Sequence, residues 1–320
     1  WKRGGTFFGS VSWGYDGHFQ PASGTVTGVI GGGSVAWLFD DDGLLTNAGE
    51  LTIGRDDLGP PARKHGLPTS TTLDSVTTTT QWSWHGEVAS EWATINAAGD
   101  EVYRVDVTSR DGLGRLLART ETVAGVSVSH SYTYDDEGRL ESATRGTHTD
   151  TFCYDANGNR LACLDSGDPE TEHDDQDRLI RRGTTTYAYT PEGRLYTKTT
   201  NDGAPQVTTY TYDPLGNLRS VAIENGPTVS YVIDGAGRRF GRVETLDGAT
   251  VDERYWIYAD GLRPVAELAA NGAVLSRLVY ATRLTTPDYV IQGGVTYRVI
   301  SDHLGSPRVV VNAATGVVVE

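Results

Sequence analysis

The 320-residue sequence contains no methionine, and it opens on Trp1-Lys2-Arg3 with no apolar run behind the two cations. A secretory leader is therefore not expected in it. No stretch approaches the ~18 consecutive apolar residues of a membrane-spanning helix. These absences are those of a piece of a longer polypeptide, with any targeting signal expected outside it. Positive charge is also scarce: 27 Lys and Arg face 42 Asp and Glu, a net charge of −15. That balance argues against a general nucleic-acid surface and against a polybasic membrane contact, and it suits a soluble acidic surface.

Helix signals and catalytic motifs are missing too. The best helical stretch, Val265 to Ala270, runs into Asn271-Gly272, itself a hairpin signal. Gly31-Gly32-Gly33 lacks the Lys-Ser/Thr ending of a phosphate loop and reads as a turn. Asp40-Asp41-Asp42-Gly43 lacks the alternating ligands of a calcium loop, and Gly49 stands where the closing Glu belongs. The seven His are scattered, and His130 and His148 have no ligand-type residue three or four positions away. No Gly-x-Ser-x-Gly elbow occurs. No catalytic, cofactor-binding or metal-binding residue is expected, and no cofactor.

What is present is β composition: 16 Tyr, 7 Trp, 39 Gly and abundant Thr and Val. Its unit is Tyr132-Thr133-Tyr134-Asp135-Asp136-Glu137-Gly138-Arg139-Leu140. Tyr132 and Tyr134 alternate with Thr133, the period of a half-buried strand. Asp135 opens a type I turn, and Gly138 fits the left-handed position of a three-residue hairpin loop with a bulge. In that register Leu140 faces Tyr134, and Arg139 faces Asp135 on the other side.

The unit recurs as Tyr154-Asp155-Ala156-Asn157-Gly158, as Tyr212-Asp213-Pro214-Leu215-Gly216 and as Tyr189-Thr190-Pro191-Glu192-Gly193, and more weakly as Asp234-Gly235-Ala236-Gly237. Pro191 and Pro214 both fall second in the turn, where their fixed φ is suited. Weaker copies lie at Asp40, Asp56, Ser83, Asp111 and Asp174, the last with Asp177 in the glycine slot. Asp tolerates the left-handed region better than most residues. Successive copies are about 20 residues apart, room for two strands and two turns. Residues 1–36 read as degenerate leading strands, 37–250 as the hairpin array and 251–320 as closing repeats. The polar stretch from Pro60 to His65 reads as a loop, and Thr69 to Thr80 as an edge strand or exposed hairpin arm.

Cys153 and Cys163 flank one turn. If Asp155 opposes Asn159, Cys153 opposes Leu161, and the cysteines are diagonal neighbours about 7 Å apart. A disulfide needs Cβ atoms about 3.5–4.5 Å apart, so two free thiols are expected.

The Tyr-Asp-x-x-Gly-Arg-Leu units resemble the YD repeats of the Rhs family, shared by bacterial Rhs proteins, the C component of Tc toxins, wall-associated proteins and teneurins. Asp260 to Leu268, "DGLRPVAEL", and Asp302-His303-Leu304-Gly305-Ser306-Pro307-Arg308 resemble the segments that close the array before the Rhs-associated core. The resemblance implies a long antiparallel β-sheet that spirals into a hollow shell around a C-terminal toxic domain. It implies an autoprotease beyond residue 320, whose aspartates match no position here. Adjacent residues on a strand point apart, so Asp302-His303 reads as structural rather than catalytic.

The implied role is a shell segment of a secreted or cell-surface toxin, partnered by the rest of its own polypeptide and by secretion machinery or a target surface. The other reading is a wall-associated or teneurin-like adhesion protein that binds carbohydrate through aromatic grooves. About a dozen hairpins fall short of a closed cocoon, so an open sheet with edges left for further chain is expected.

Overall fold

The computed structural model describes every residue except 1, 4, 5, 56–65, 97, 164–166 and 320. The expected turn at Asp56 and the loop from Pro60 to His65 lie outside the described residues. All regular structure described is β, and no described segment is helical. Strands pair antiparallel with their neighbours in sequence, in one ladder from Gly9–Tyr15 to His148–Thr151 and a second from Thr171–His173 to Pro307–Asn312. Sequence-order pairing follows from the repeat, because each tight turn returns the chain beside the strand it has just left.

The contacts divide the chain into two compact units, one made of residues 1–131 with 256–320 and the other of residues 132–255. In the first, two sheets face each other across a core. Val76, Tyr103 and Val105 of the leading ladder pack with Ile300, Val309 and Val311 of the closing one. Leu51 and Leu73 pack likewise with Val279, Tyr289 and Ala313. Full burial of such side chains contributes about 1.5–3 kcal/mol each.

The Thr-rich stretch belongs to this unit and corrects the reading of an edge or exposed arm. Ser70–Leu73 and Val76–Trp82 are interior strands, each paired on both sides. Thr71, Leu73, Val76 and Thr78 alternate inward and are buried. Threonine served here as a β-branched inward residue, and the polarity of its hydroxyl masked that in the sequence.

The unit of residues 132–255 is built differently. It is a series of hairpins including Thr185–Tyr189 with Leu195–Thr200 and Gln206–Tyr212 with Leu218–Ile223. Each has the aromatic opposite the leucine, Tyr189 with Leu195 and Tyr212 with Leu218, with a register shift just before the aromatic. Among its described residues only Phe240 and Tyr255 are fully buried large hydrophobics. Tyr187 and Tyr189 lie on one half-buried face, with Thr186 and Ala188 exposed on the other. A sheet so arranged is a wall one layer thick.

The cysteines overturn the expectation of free thiols. Cys153 does face Leu161, but the ladder ends there. The chain leaves the strand after Leu161, and Cys163 comes back to a Cα–Cα distance of 5.2 Å from Cys153 in a disulfide. The diagonal spacing applied only if the strand continued. Closing a loop of this size restricts the unfolded chain by about 2–3 kcal/mol. Replacing both cysteines by Ser is expected to lower the unfolding free energy by that amount, read as a lower urea midpoint. An unchanged midpoint would show that the bridge stabilises nothing.

Candidate functional site: capped turns and a buried ionic layer

Among the described residues, the turns of the Asp-type repeat are closed by their first residue. At Asp135 the backbone N–H donates to the Arg139 carbonyl at 2.9 Å, and Gly138 N–H donates to the Asp135 carbonyl at 2.9 Å. Gly138 has φ +84°, where a Cβ is strained. The carboxylate completes the turn: Oδ1 accepts from Arg139 N at 2.7 Å and Oδ2 from Arg139 Nε at 2.7 Å. Asp155 takes Asn157 N, Asn159 N and Asn159 Nδ2 in the same way. Asp213 with Gly216 and Asn217, and Asp234 with Gly237 and Arg238, repeat the arrangement. Thr190 closes its turn with Oγ1 at 3.3 Å from Arg194 N, and Ser83 with Oγ at 3.2 Å from His85 N and Glu87 N. Asp177, at φ +60°, occupies a glycine slot, and its Oδ1 accepts from Asn157 and Asn159 of the preceding turn.

The carboxylates of Asp111, Asp135, Asp155, Asp174, Asp213, Asp234 and Asp260 are held below the ordinary carboxylate range. At Asp155, Asp174 and Asp213 the main cause is the side-chain hydrogen bond from Asn159, Arg178 and Asn217. At the other four, partial burial pushes upward but is outweighed by the hydrogen bonds of the turn. A carboxyl depressed on folding stabilises above its unfolded pKa, about 3.9, and that stabilisation is lost as pH falls through the folded value. Glu91 runs the other way. Burial, partly offset by Arg283 and Arg298, raises its pKa, so its protonation favours the fold. The urea midpoint is expected to fall steeply below about pH 4. A chain with Asn at 135, 155, 213 and 234 is expected to be weaker at neutral pH and to show a shallower acid dependence. Equal slopes for the two chains would remove the carboxylates from the account.

A second device joins one hairpin to the next. Tyr154 Oη donates to the Leu140 carbonyl at 2.9 Å while the Arg139 guanidinium lies 4.5 Å over its ring. Tyr189 does the same to Leu179 under Arg178, and Tyr212 to Leu195 under Arg194. The tyrosine is thus a staple: its ring takes the cation of the preceding turn and its hydroxyl takes that hairpin's leucine carbonyl. Sequence reasoning read these rings as packing, with carbohydrate contact as the other reading, and not as a link between hairpins. The recurrence of Tyr rather than Phe in the slot was the available signal. Tyr212→Phe keeps the ring and removes the hydroxyl, so it is expected to cost about 0.5–1.5 kcal/mol in a denaturant titration. A neutral result would leave only packing at that slot.

The closing box uses the same turn. Asp302 is buried, and its Oδ1 accepts from Leu304 N and Ser306 N, each at 3.0 Å. Gly305 has φ +85°. His303 sits in the turn beside Asp302, not on a strand, which corrects the reason given for separating the pair. Its pKa is lowered by partial burial first and by Arg119 next. Pro307 opens the return strand opposite Ser301. Arg308 crosses to the leading ladder, where Nη2 donates to buried Glu121 Oε2 at 2.7 Å. His130 Nε2 lies 3.5 Å from the same oxygen.

Beyond the box lies a buried ionic layer that sequence reasoning missed. Arg298 donates to Thr71 Oγ1 at 2.9 Å and lies 3.4 Å from Asp288 Oδ1. Asp288 also accepts from Ala281 N, Thr282 N and Thr282 Oγ1. Arg283 lies 3.4 Å from Glu91 Oε2. Arg283 meets Glu91 and Arg308 meets Glu121 across strands far apart in sequence, so no local spacing signals those pairs, whereas Asp288 and Arg298 are ten residues apart in one hairpin. The arrangement holds two sheets in register. Among the described residues no cluster of three or more His, Cys, Asp or Glu could hold a metal ion.

The family model of the teneurin YD-shell matches residues 10–320. The chain belongs to the teneurin YD-shell family. Membership gives it a structural shell role. Among solved structures it is similar to TcdB2-TccC3 at 14% identity and a TM-score of 0.41, covering 93% of this chain and 22% of that chain. It is similar to TcdB2-TccC3 without its hypervariable C-terminal region at 13% identity and a TM-score of 0.42, with the same coverage. It is also similar to a Tc holotoxin pore of Photorhabdus luminescens at 13% identity and a TM-score of 0.41, covering 93% of this chain and 21% of that chain. The YD-shell chain thus spans about a fifth of the length of these structures. No curated protein sequence matches it.

Proposed function

We propose that this YD-shell chain is a wall segment of an Rhs-type container that encloses a C-terminal toxic domain and carries it out of the producing cell. One observation supports this reading above the others. Residues 132–255 are a series of stapled hairpins with almost nothing fully buried among the described residues, which suits a wall better than a globule. The capped turns spend their carboxylates on their own backbone, so the motif residues from Tyr134 to Arg308 serve construction rather than chemistry. The partners are the remainder of its own polypeptide, the machinery that exports it and the surface it reaches. The site of action is outside the producing cell. Limited proteolysis of the intact parent polypeptide tests this. The segment after the shell is expected to resist protease until the shell is opened by denaturant or acid. Cleavage of that segment in the native protein at the rate of an isolated peptide would overturn the container.

A further inference from the structure

The unit formed by residues 1–131 and 256–320 holds an open cleft of about 450 Å³ between its two sheets. That is within the range of about 300–1,000 Å³ for small-molecule sites. Its floor is aromatic. Trp13 and Tyr15 point into it from the strand Gly9–Tyr15, and Trp37 and Phe39 from the strand Gly32–Phe39. Between them runs Pro21–Gly28, which carries Gly24 opposite Trp13. The indoles of Trp13 and Trp37 meet over that glycine, with centroids 5.4 Å apart and a tilt of 35°. A Cβ at Gly24 would stand 2.9 Å from the Trp37 ring and 3.0 Å from that of Trp13. The missing side chain is what lets the two rings form one concave surface.

The cleft also holds one cation without an anion. Arg277 lies over Gly33, where a Cβ would come within 2.6 Å of the guanidinium. It donates Nη1 to the Ser34 carbonyl at 3.2 Å and forms no ion pair among the described residues. The other charges at the rim, Asp260 and Arg263, are paired with each other at 2.6 Å. Gly33 belongs to the cross-strand row beside the one that carries Trp13 and Gly24, a step of two residues or about 7 Å along the strand. A second glycine thus makes room for a fork of donors one cross-strand row from the ring-binding floor. In a chain of net charge −15, an arginine kept clear of the surrounding acids is a specific positive point.

We infer that this cleft binds a small ligand with a flat apolar ring and an anionic group one or two bonds away, the class of an aryl-acetic acid. The ring stacks on Trp13 and Trp37, and the carboxylate takes the free edge of Arg277 in charge-assisted hydrogen bonds. Shape and charge decide together: the floor selects flat over puckered, and Arg277 selects acid over neutral.

Isothermal titration calorimetry of the 320-residue chain with naphthylacetate, its uncharged amide and glucuronate tests the assignment. Naphthylacetate is expected to bind with Kd below about 1 mM, the amide about tenfold more weakly and glucuronate more weakly still. Arg277→Gln is expected to bring the acid down to the level of the amide and leave the amide itself unchanged. Gly24→Ala keeps both indoles but parts them, and it is expected to weaken both ligands about tenfold. Far-UV circular dichroism matching the parent chain confirms that each variant is folded. Equal binding of acid and amide, indifference of the acid to Arg277→Gln, or tighter binding of glucuronate than of naphthylacetate would each overturn the inference. So would the absence of any binding by the folded parent chain.

Discussion

Asp288→Ala is expected to destabilise the unit formed by residues 1–131 and 256–320 by about 3–5 kcal/mol, the cost of leaving a buried charge without its partner. Asp288 is 2% exposed and Arg298 is 5% exposed. Removing the carboxylate strands Arg298 among Thr71, Val299 and the Asp288 carbonyl. It also frees the amides of Ala281 and Thr282, which now donate to Asp288 Oδ2. The companion experiment separates specificity from stability. The double replacement Asp288→Leu with Arg298→Met removes both charges, and a buried pair exchanged for apolar residues is often neutral or better. The double variant is expected to recover a large part of the loss in a urea titration. If the single variant costs under about 1 kcal/mol, water reaches the pair and the layer is no core element.

Tyr289→Ala is expected to cost about 3–5 kcal/mol, in the range of large aromatic deletions from a core. The ring is 2% exposed and packs with Leu51, Leu73 and Val279. Its hydroxyl donates to the Ala48 carbonyl at 2.9 Å, across 241 positions of sequence. Burial pushes its pKa up to about 12. Tyr289→Phe isolates the hydroxyl and is expected to cost about 0.5–1.5 kcal/mol. The difference between the two variants measures how much of the joint between the two sheets is volume and how much is the single hydrogen bond. Equal losses would place the whole effect in the hydrogen bond.

The local architecture was legible and the distant one was not. Asp135 and Gly138 encode a turn within four letters, and the same letters recur at Asp155, Asp213 and Asp234. A hairpin is a short-range object, so its capping residue, its left-handed position and its cross-strand pair all lie within one reading window. Even Asp177 in a glycine slot could be read, because the left-handed region is open to Asp. The tyrosine staple was half legible. Its ring was visible as a strand residue, but its hydroxyl acceptor, the leucine carbonyl of the preceding hairpin, lies across a pairing that depends on where one strand ends. The disulfide failed for that same reason: the register through Leu161 was right, and the strand stopped there. The ionic layer was illegible. Glu121 meets Arg308 across 187 positions, and Arg298 meets Thr71 across 227. Nothing in the spacing of either partner points to the other, because two sheets folding face to face bring them together only at the level of packing.

Whether the stapled hairpins wall in further chain is directly measurable. The most direct measurement is an electron-microscopy map of the intact parent polypeptide. The account predicts residues 132–255 as a curved stretch of a one-layer wall, with an enclosed lumen on the side of Tyr187 and Tyr189 and density for further chain inside it. A flat sheet, or a closed barrel filled by its own side chains, would contradict it.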